Sequence, residues 1–187
     1  MGKSTQVKLL TRKLAEFRVP FLQTKEPGGS ALGQELRRIL LDLKHLKLDP
    51  EAQLCLLLAA RHHHIHQVIR PALAQGKWVL CDRFIHSSLV YQGIIQGLGV
   101  ERVLKMHELC DALLIPDMTF VLQEDVAISK RRCERRFYAN HWDQETLECH
   151  QKIADAYLEF SDCIFLEKGR SVKQTHRRIW GYVEEYI

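Results

Sequence analysis

The sequence predicts an α/β fold in which a parallel sheet is flanked by helices. Three observations carry that reading. Helical and strand-like stretches alternate along the chain, as they do when helices cover both faces of a parallel sheet. The apolar run Trp78–Cys81 stops abruptly at Asp82 and Arg83, which puts an anion and a cation at a strand's carboxyl end. Open α/β sheets bind their ligands there. Finally, Gly2-Lys3-Ser4-Thr5 stands directly before a helix, the order in which a phosphate-cradling loop ends.

The elements follow in order. Ser4–Phe17 reads as a helix, with Val7, Leu10, Leu14 and Phe17 on one face. Pro20–Thr24 is a short strand, and Lys25–Gly29 is a turn. Ser30 caps a helix running to Leu41. Asp49, with Pro50 behind it, opens a long helix through Arg70 that should bend before Pro71. Trp78–Cys81 is the second strand. Helices over Ser87–Gln96 and Val100–Leu113 precede a third strand, Met118–Leu122. Ala127–Phe137 is a basic helix, Gln144–Phe160 is helical, Cys163–Leu166 is a fourth strand, and Val172–Ile187 closes the fold as a helix.

Composition narrows the function. The 187 residues fit one domain, and a net charge of +4 suits an anionic small molecule. The dense Lys/Arg clustering of a nucleic-acid binder is lacking. The longest apolar run, Leu54–Ala60, falls well short of the roughly 20 residues that span a bilayer. Neither nucleic acid nor a membrane is therefore expected as a partner. No signal peptide opens the sequence, so the location is expected to be cytoplasmic. The 6 Cys show no CxxC spacing and are expected to be reduced packing thiols. His62 and His66 are spaced to share a metal ion, but no Asp or Glu lies nearby in sequence, so an exposed helical turn is the expectation.

The residue types fit phosphate chemistry. Gly2 lets the backbone approach a phosphate, Lys3 reaches its oxygens, and the Ser4 hydroxyl suits Mg²⁺. The helix N-terminus adds free N–H groups and partial positive charge. Asp82 suits a hydrated Mg²⁺, and Arg83 can grip a phosphate bidentately. A surface ion pair closing a strand has the same sequence signature as Asp82-Arg83.

Taken together, the motifs resemble the bacterial thymidylate kinases. The stretches are GKST at 2–5, TKEPGG at 24–29, GQELRRILL at 33–41, AAR at 59–61, PALAQGKWVLCDRF at 71–84, SSLVYQG at 87–93 and PDMTFVL at 116–122. The resemblance covers essentially the whole length. It implies phosphorylation of dTMP by ATP with Mg²⁺, in a homodimeric enzyme. Under it, Gly2, Lys3, Ser4 and Thr5 would hold ATP, and Ser4 and Asp82 would hold the metal and its water shell. Arg83 and Arg37 would face the monophosphate, and Glu26 would sit beside the acceptor. Arg61, Ser88 and Gln92 would line the base pocket, with Leu57 as its apolar wall. Tyr91 would pack under the deoxyribose and crowd out a 2′-hydroxyl. Lys3 and Arg83 would act in catalysis.

Three departures stand out. Leu57 occupies a position that is usually aromatic in the family, which removes a π face from the base pocket. Lys25 replaces an Arg. In the lid segment, about 131–145, His141 stands where the family has Arg. Arg131, Arg132, Arg135 and Arg136 lie close by, and one of them, with Arg135 as the working candidate, is expected to supply the missing charge.

The resemblance also implies the strand order 2-3-1-4-5. Strand 1 should precede Gly2, and this sequence contains none of it. Two inner strands would then carry unpaired backbone groups, each costing on the order of 1–3 kcal/mol if buried. Either the sequence opens at an internal Met within the phosphate loop, or it is a decayed remnant, and the intact motifs favour the first. The rival functional reading is a non-catalytic nucleotide-binding protein without a complete phosphate loop.

Overall fold

The computed structural model describes residues 2–41, 48–134, 145–167 and 171–187. Helix α1 spans Lys3–Glu16 and leads into strand β1, Phe21–Lys25. Arg18 takes a left-handed φ of 57° behind α1, and the Val19 amide returns to the Leu14 carbonyl at 2.9 Å, closing the helix end. Helix α2 covers Ala31–Leu41, and Ser30 caps it, its Oγ accepting from the Gly33 amide at 3.1 Å. Helix α3 covers Pro50–His64, with the Asp49 carboxylate accepting from the Ala52 amide at 2.7 Å.

Before Pro71, α3 widens into a π-helical stretch, Ile65–Ile69, and resumes as helix α4, Arg70–Ala74. Proline lacks the amide that an α-helical turn needs, and the wider turn lies directly N-terminal to it. Strand β2 is Trp78–Asp82. The expected single helix over Ser87–Gln96 is a short α5, Ile85–Ser88, running into a second π-helical stretch, Leu89–Ile95. Helix α6, Val100–Leu109, stops short of Leu113, because Asp111 turns into the left-handed region at φ 46°. Strand β3 is Thr119–Gln123, α7 is Val126–Glu134, α8 is Leu147–Tyr157 and β4 is Cys163–Glu167. Helix α9, Val172–Val183, ends in a 3₁₀ turn, Glu184–Tyr186.

The strands pair in parallel, β1 with β2 and β3 with β4, as two separate ladders. The register puts Lys25 opposite Asp82 and Gln123 opposite Glu167. The α/β class and the parallel strands are as the sequence predicts. One apolar cluster joins the two ladders: Leu14 of α1 and Ile179, Trp180 and Val183 of α9 pack with Trp78, Leu80, Phe120, Leu122 and Ile164. A second cluster, with Leu54, Leu58, Ile85, Leu89 and Val103, holds α3, α5 and α6 together. Among the described residues, no helix is long and apolar enough to cross a membrane.

Two expectations need correction or placement. Cys55 and Cys110 are exposed thiols, not packing residues, while Cys163 is buried as expected. Most of the lid segment, including Arg135, Arg136 and His141, lies outside the described residues.

Candidate active site

The α1 N-terminus and the carboxyl end of β2 meet at one cavity of about 370 Å³. Ser4, Thr24, Lys25, Gly28, Gly29 and Asp82 are among its lining residues. Gly2 is the N-cap, no side chain caps the helix, and no acidic residue lies in the first turn. Uncapped N–H groups and an unopposed helix dipole there favour an anion. Lys3, Ser4 and Thr5 form that first turn, with Ser4 and Thr5 exposed.

Asp82 is the last residue of β2, and its Oδ2 accepts from Ser4 Oγ at 3.5 Å. Its Oδ1 is buried and, among the described residues, has no hydrogen-bond partner. Leaving a carboxylate oxygen buried and unpaired is costly, so the arrangement suits a bound cation or its water. A carboxylate and a hydroxyl are the hard oxygen donors that Mg²⁺ takes, and these two residues therefore fit it.

Arg83 follows at φ 71°, a conformation disfavoured for a side-chain-bearing residue and held here by its surroundings. Its guanidinium lies 5.2 Å from the Tyr91 ring centroid and makes long contacts of 3.5 Å to Ser87 Oγ and the Tyr91 hydroxyl. Burial works against its charge, but Tyr91, Tyr157 and Asp82 outweigh burial and hold the guanidinium charged. The Cys81 thiol donates to the Arg83 carbonyl at 3.0 Å. Burial, reinforced by Glu26, pushes that thiol's pKa well up, so it is no nucleophile.

Below the turn lies a buried polar network. Glu26 is 5% exposed and Arg61 is 3% exposed. Arg61 Nε donates to Glu26 Oε2 at 2.6 Å, and His64 Nδ1 donates to Glu26 Oε1 at 2.9 Å. His64 Nε2 in turn meets Thr24 Oγ1 at 2.7 Å. Burial alone would raise the Glu26 pKa, but Arg61 and His64 prevail and lower it. Arg61 Nη1 also donates to Ser88 Oγ at 3.1 Å and to His107 Nε2. Because Arg can only donate, His107 Nε2 carries no proton, so Nδ1–H donates to the Val103 carbonyl at 2.7 Å. Burial, reinforced by Arg61, pushes His107 down to about 4, keeping it neutral.

The remaining predicted residues fall around this network. Arg37 Nη1 donates to the Pro27 carbonyl at 2.9 Å, which ties α2 to the EPGG turn. Gln92 is buried in the second π-helical stretch and donates to Gln96 Oε1 at 3.3 Å. Gln96 continues the chain of amides to Gln53 at 2.9 Å. Tyr91 is half-buried against Arg83, and Leu57 is half-buried on α3. Ser88 caps no helix and answers Arg61 instead.

Sequence reasoning missed three members. His64 lies one turn beyond Arg61 on α3, so a helical-face argument from Arg61 would have found it. His107 on α6 and Tyr157 on α8, whose hydroxyl meets Ser87 Oγ at 3.1 Å, sit in ordinary amphipathic helices that give no signal.

Parallel strands whose carboxyl ends meet a bare helix N-terminus make this an α/β phosphate-binding protein of the nucleotide-kinase class. Known proteins narrow the class. The thymidylate kinase family model matches residues 1–179. The thymidylate kinase of Symbiobacterium thermophilum is 37% identical over 193 residues, covering 100% of this chain and 89% of that protein. The thymidylate kinase of Pelotomaculum thermopropionicum is 40% identical over 192 residues, with the same 100% and 89% coverage. The crystal structure of thymidylate kinase from Ehrlichia chaffeensis superposes with a TM-score of 0.77 at 26% identity, covering 98% of this chain and 92% of that one. The chain belongs to the thymidylate kinase family, and it is a phosphotransferase.

Proposed function

We propose that this chain transfers the terminal phosphoryl group of ATP to dTMP with Mg²⁺, in the cytoplasm and as a homodimer. The observation that carries the reading is the shared cavity. Ser4 at the α1 N-terminus, Asp82 at the end of β2, and Gly28 and Gly29 of the EPGG turn all line it. Lys3, Ser4 and Thr5, with the first-turn amides, hold the triphosphate. Ser4 and Asp82 hold the metal and its waters. When bound, Mg²⁺ neutralises phosphate charge that builds during transfer.

On the acceptor side, Arg83 and Arg37 receive the monophosphate. Arg83 is suited to this because its charge is enforced by its neighbours. Tyr91, fixed against Arg83, packs on the sugar. Leu57, Ser88 and Gln92 surround the base, and Arg61 is locked in place there by Glu26 and His107. No covalent intermediate is needed, since phosphoryl transfer between two held nucleotides is mainly positioning and charge neutralisation. The non-catalytic reading draws no support from relatives such as those of Symbiobacterium thermophilum, Magnetococcus marinus and Rhodopseudomonas palustris, each of which is described as a thymidylate kinase.

A coupled kinase assay with MgATP and dTMP, dUMP, dCMP or dGMP tests the proposal. Turnover of dTMP above the other three is expected, and no turnover of any of them overturns it. Asp82→Asn is expected to raise the Mg²⁺ concentration for half-maximal rate by about 10- to 100-fold.

A further inference from the structure

We propose that His62, His66 and Asp111 form a surface site for one divalent transition-metal ion of the Zn²⁺, Co²⁺ or Ni²⁺ class. The site lies outside the phosphate cavity, between the C-terminal end of α3 and the turn that follows α6. His62 ends its contribution one turn before His66, and the two rings face each other at 4.4 Å with a 34° tilt. Both turn a nitrogen toward Asp111 of the facing turn. His62 Nδ1 lies 2.9 Å from the Cys110 carbonyl oxygen and 3.3 Å from that of Asp111. His66 Nε2 lies 2.9 Å from Asp111 Oδ2 and 3.3 Å from the Asp111 carbonyl oxygen.

One ligand atom from each of the three residues lies within 4.8 Å of the other two. A tetrahedral ion with bonds of about 2.0–2.1 Å holds its ligands roughly 3.3 Å apart. The side chains therefore need to close by up to about 1.5 Å, which rotamer adjustment at an exposed site supplies. The sequence offered no acid for this histidine pair. The fold delivers one from 45 residues away, because the left-handed backbone at Asp111 (φ 46°) ends α6 there.

The carboxylate is also oriented. Its second oxygen, Oδ1, accepts from Arg70 Nη2 at 3.4 Å while Oδ2 faces His66. An outer partner of that kind fixes a metal ligand's direction. Two imidazole nitrogens and one carboxylate leave a fourth position open to water. That donor set selects borderline transition metals over Mg²⁺, which prefers oxygen ligands and keeps its waters. The chain thus separates two kinds of cation: the oxygen donors Ser4 and Asp82 on one side, and the nitrogen-rich surface clamp on the other. Metal binding there would tie α3, immediately after Arg61, to the end of α6, which carries His107.

The test is calorimetric titration of the full chain with ZnCl₂, and with CoCl₂ followed by visible absorption, both in excess Mg²⁺. One equivalent is expected to bind, Co²⁺ is expected to give tetrahedral or five-coordinate d–d bands, and Mg²⁺ is expected not to compete. His62→Ala, His66→Ala and Asp111→Asn are each expected to weaken binding at least about 10-fold. Cys110→Ser is expected to bind as the parent does, and so is His86→Ala, which removes a histidine of α5 that lies 2.9 Å from Asp162 Oδ2, apart from this cluster. Zn²⁺ should raise the melting temperature of the parent and leave that of the His62→Ala/His66→Ala variant unmoved. Absence of binding overturns the proposal. So does Zn²⁺ affinity that survives the double histidine variant, or that is lost with Cys110→Ser or His86→Ala. The result is independent of dTMP phosphorylation.

Discussion

At the scale of single residues, His107 makes a prediction with a definite sign. It is fully buried and holds Arg61 through an unprotonated nitrogen, so the folded protein keeps it neutral down to about 4. In the unfolded chain it takes a proton near the ordinary histidine value of 6.5. The folded pKa is the lower one, so its contribution is complete above 6.5 and is lost as pH falls toward about 4. Glu26 acts in a lower window. Its folded pKa is below the unfolded 4.5, so its contribution is present above 4.5 and fades as pH falls through the folded value. Urea unfolding midpoints measured from pH 8 to 4 should therefore decline through the histidine window, and His107→Asn should flatten that decline. An equal slope in parent and variant would show that another group is responsible.

At the scale of the element, the EPGG turn and α3 are fitted to one another through Gly29. A Cβ there would collide with the His64 ring and would lie 2.5 Å from Thr24 Oγ1. Gly29→Ala must therefore displace His64, breaking its bond to Thr24 and loosening its hold on Glu26. The expected loss is about 1–3 kcal/mol of stability, the usual scale of overpacking. In a His64→Ala background, the same Gly29→Ala change should cost much less, and a double-mutant cycle by denaturation measures the difference. Simple additivity would mean the turn is not held by this contact. The turn itself was legible from its Pro and Gly residues, and so were the capped starts at Ser30 and Asp49, because these are local chemistry. Pro71 marked a departure from the α-helix near Ile65–Ile69, whereas the widened stretch at Leu89–Ile95 was not legible. No proline lies in that second stretch, and tertiary packing decides to add a residue to its turn. The same holds for the site. Asp82, Arg83 and Ser4 could be placed from order along the chain, whereas the pairing of Arg61 with His107 joins positions 46 apart and leaves no local trace.

At the scale of the molecule, backbone hydrogen bonds and apolar packing divide the work of cohesion. Each ladder is held internally by its parallel bonds, but among the described residues β2 and β3 share none. What joins the two halves is the cluster built by α1 and α9, with Leu14 and Trp180 at its heart. The strand geometry makes this division measurable. The Trp78 amide donates to the Pro20 carbonyl at 2.9 Å, and the Asp82 carbonyl accepts from the Glu26 amide at 3.1 Å. Residues 78, 80 and 82 therefore turn their backbone groups toward β1. Side-to-side alternation turns those of Val79 and Cys81 the other way. Amide hydrogen exchange followed by NMR should show Leu80 strongly protected and its neighbours Val79 and Cys81 exchanging much faster, even though all three sit in one strand and are similarly half-buried. Protection set by burial would be uniform along β2. Protection set by hydrogen bonding must alternate, and a uniform profile would mean that Val79 and Cys81 are hydrogen-bonded on the side away from β1.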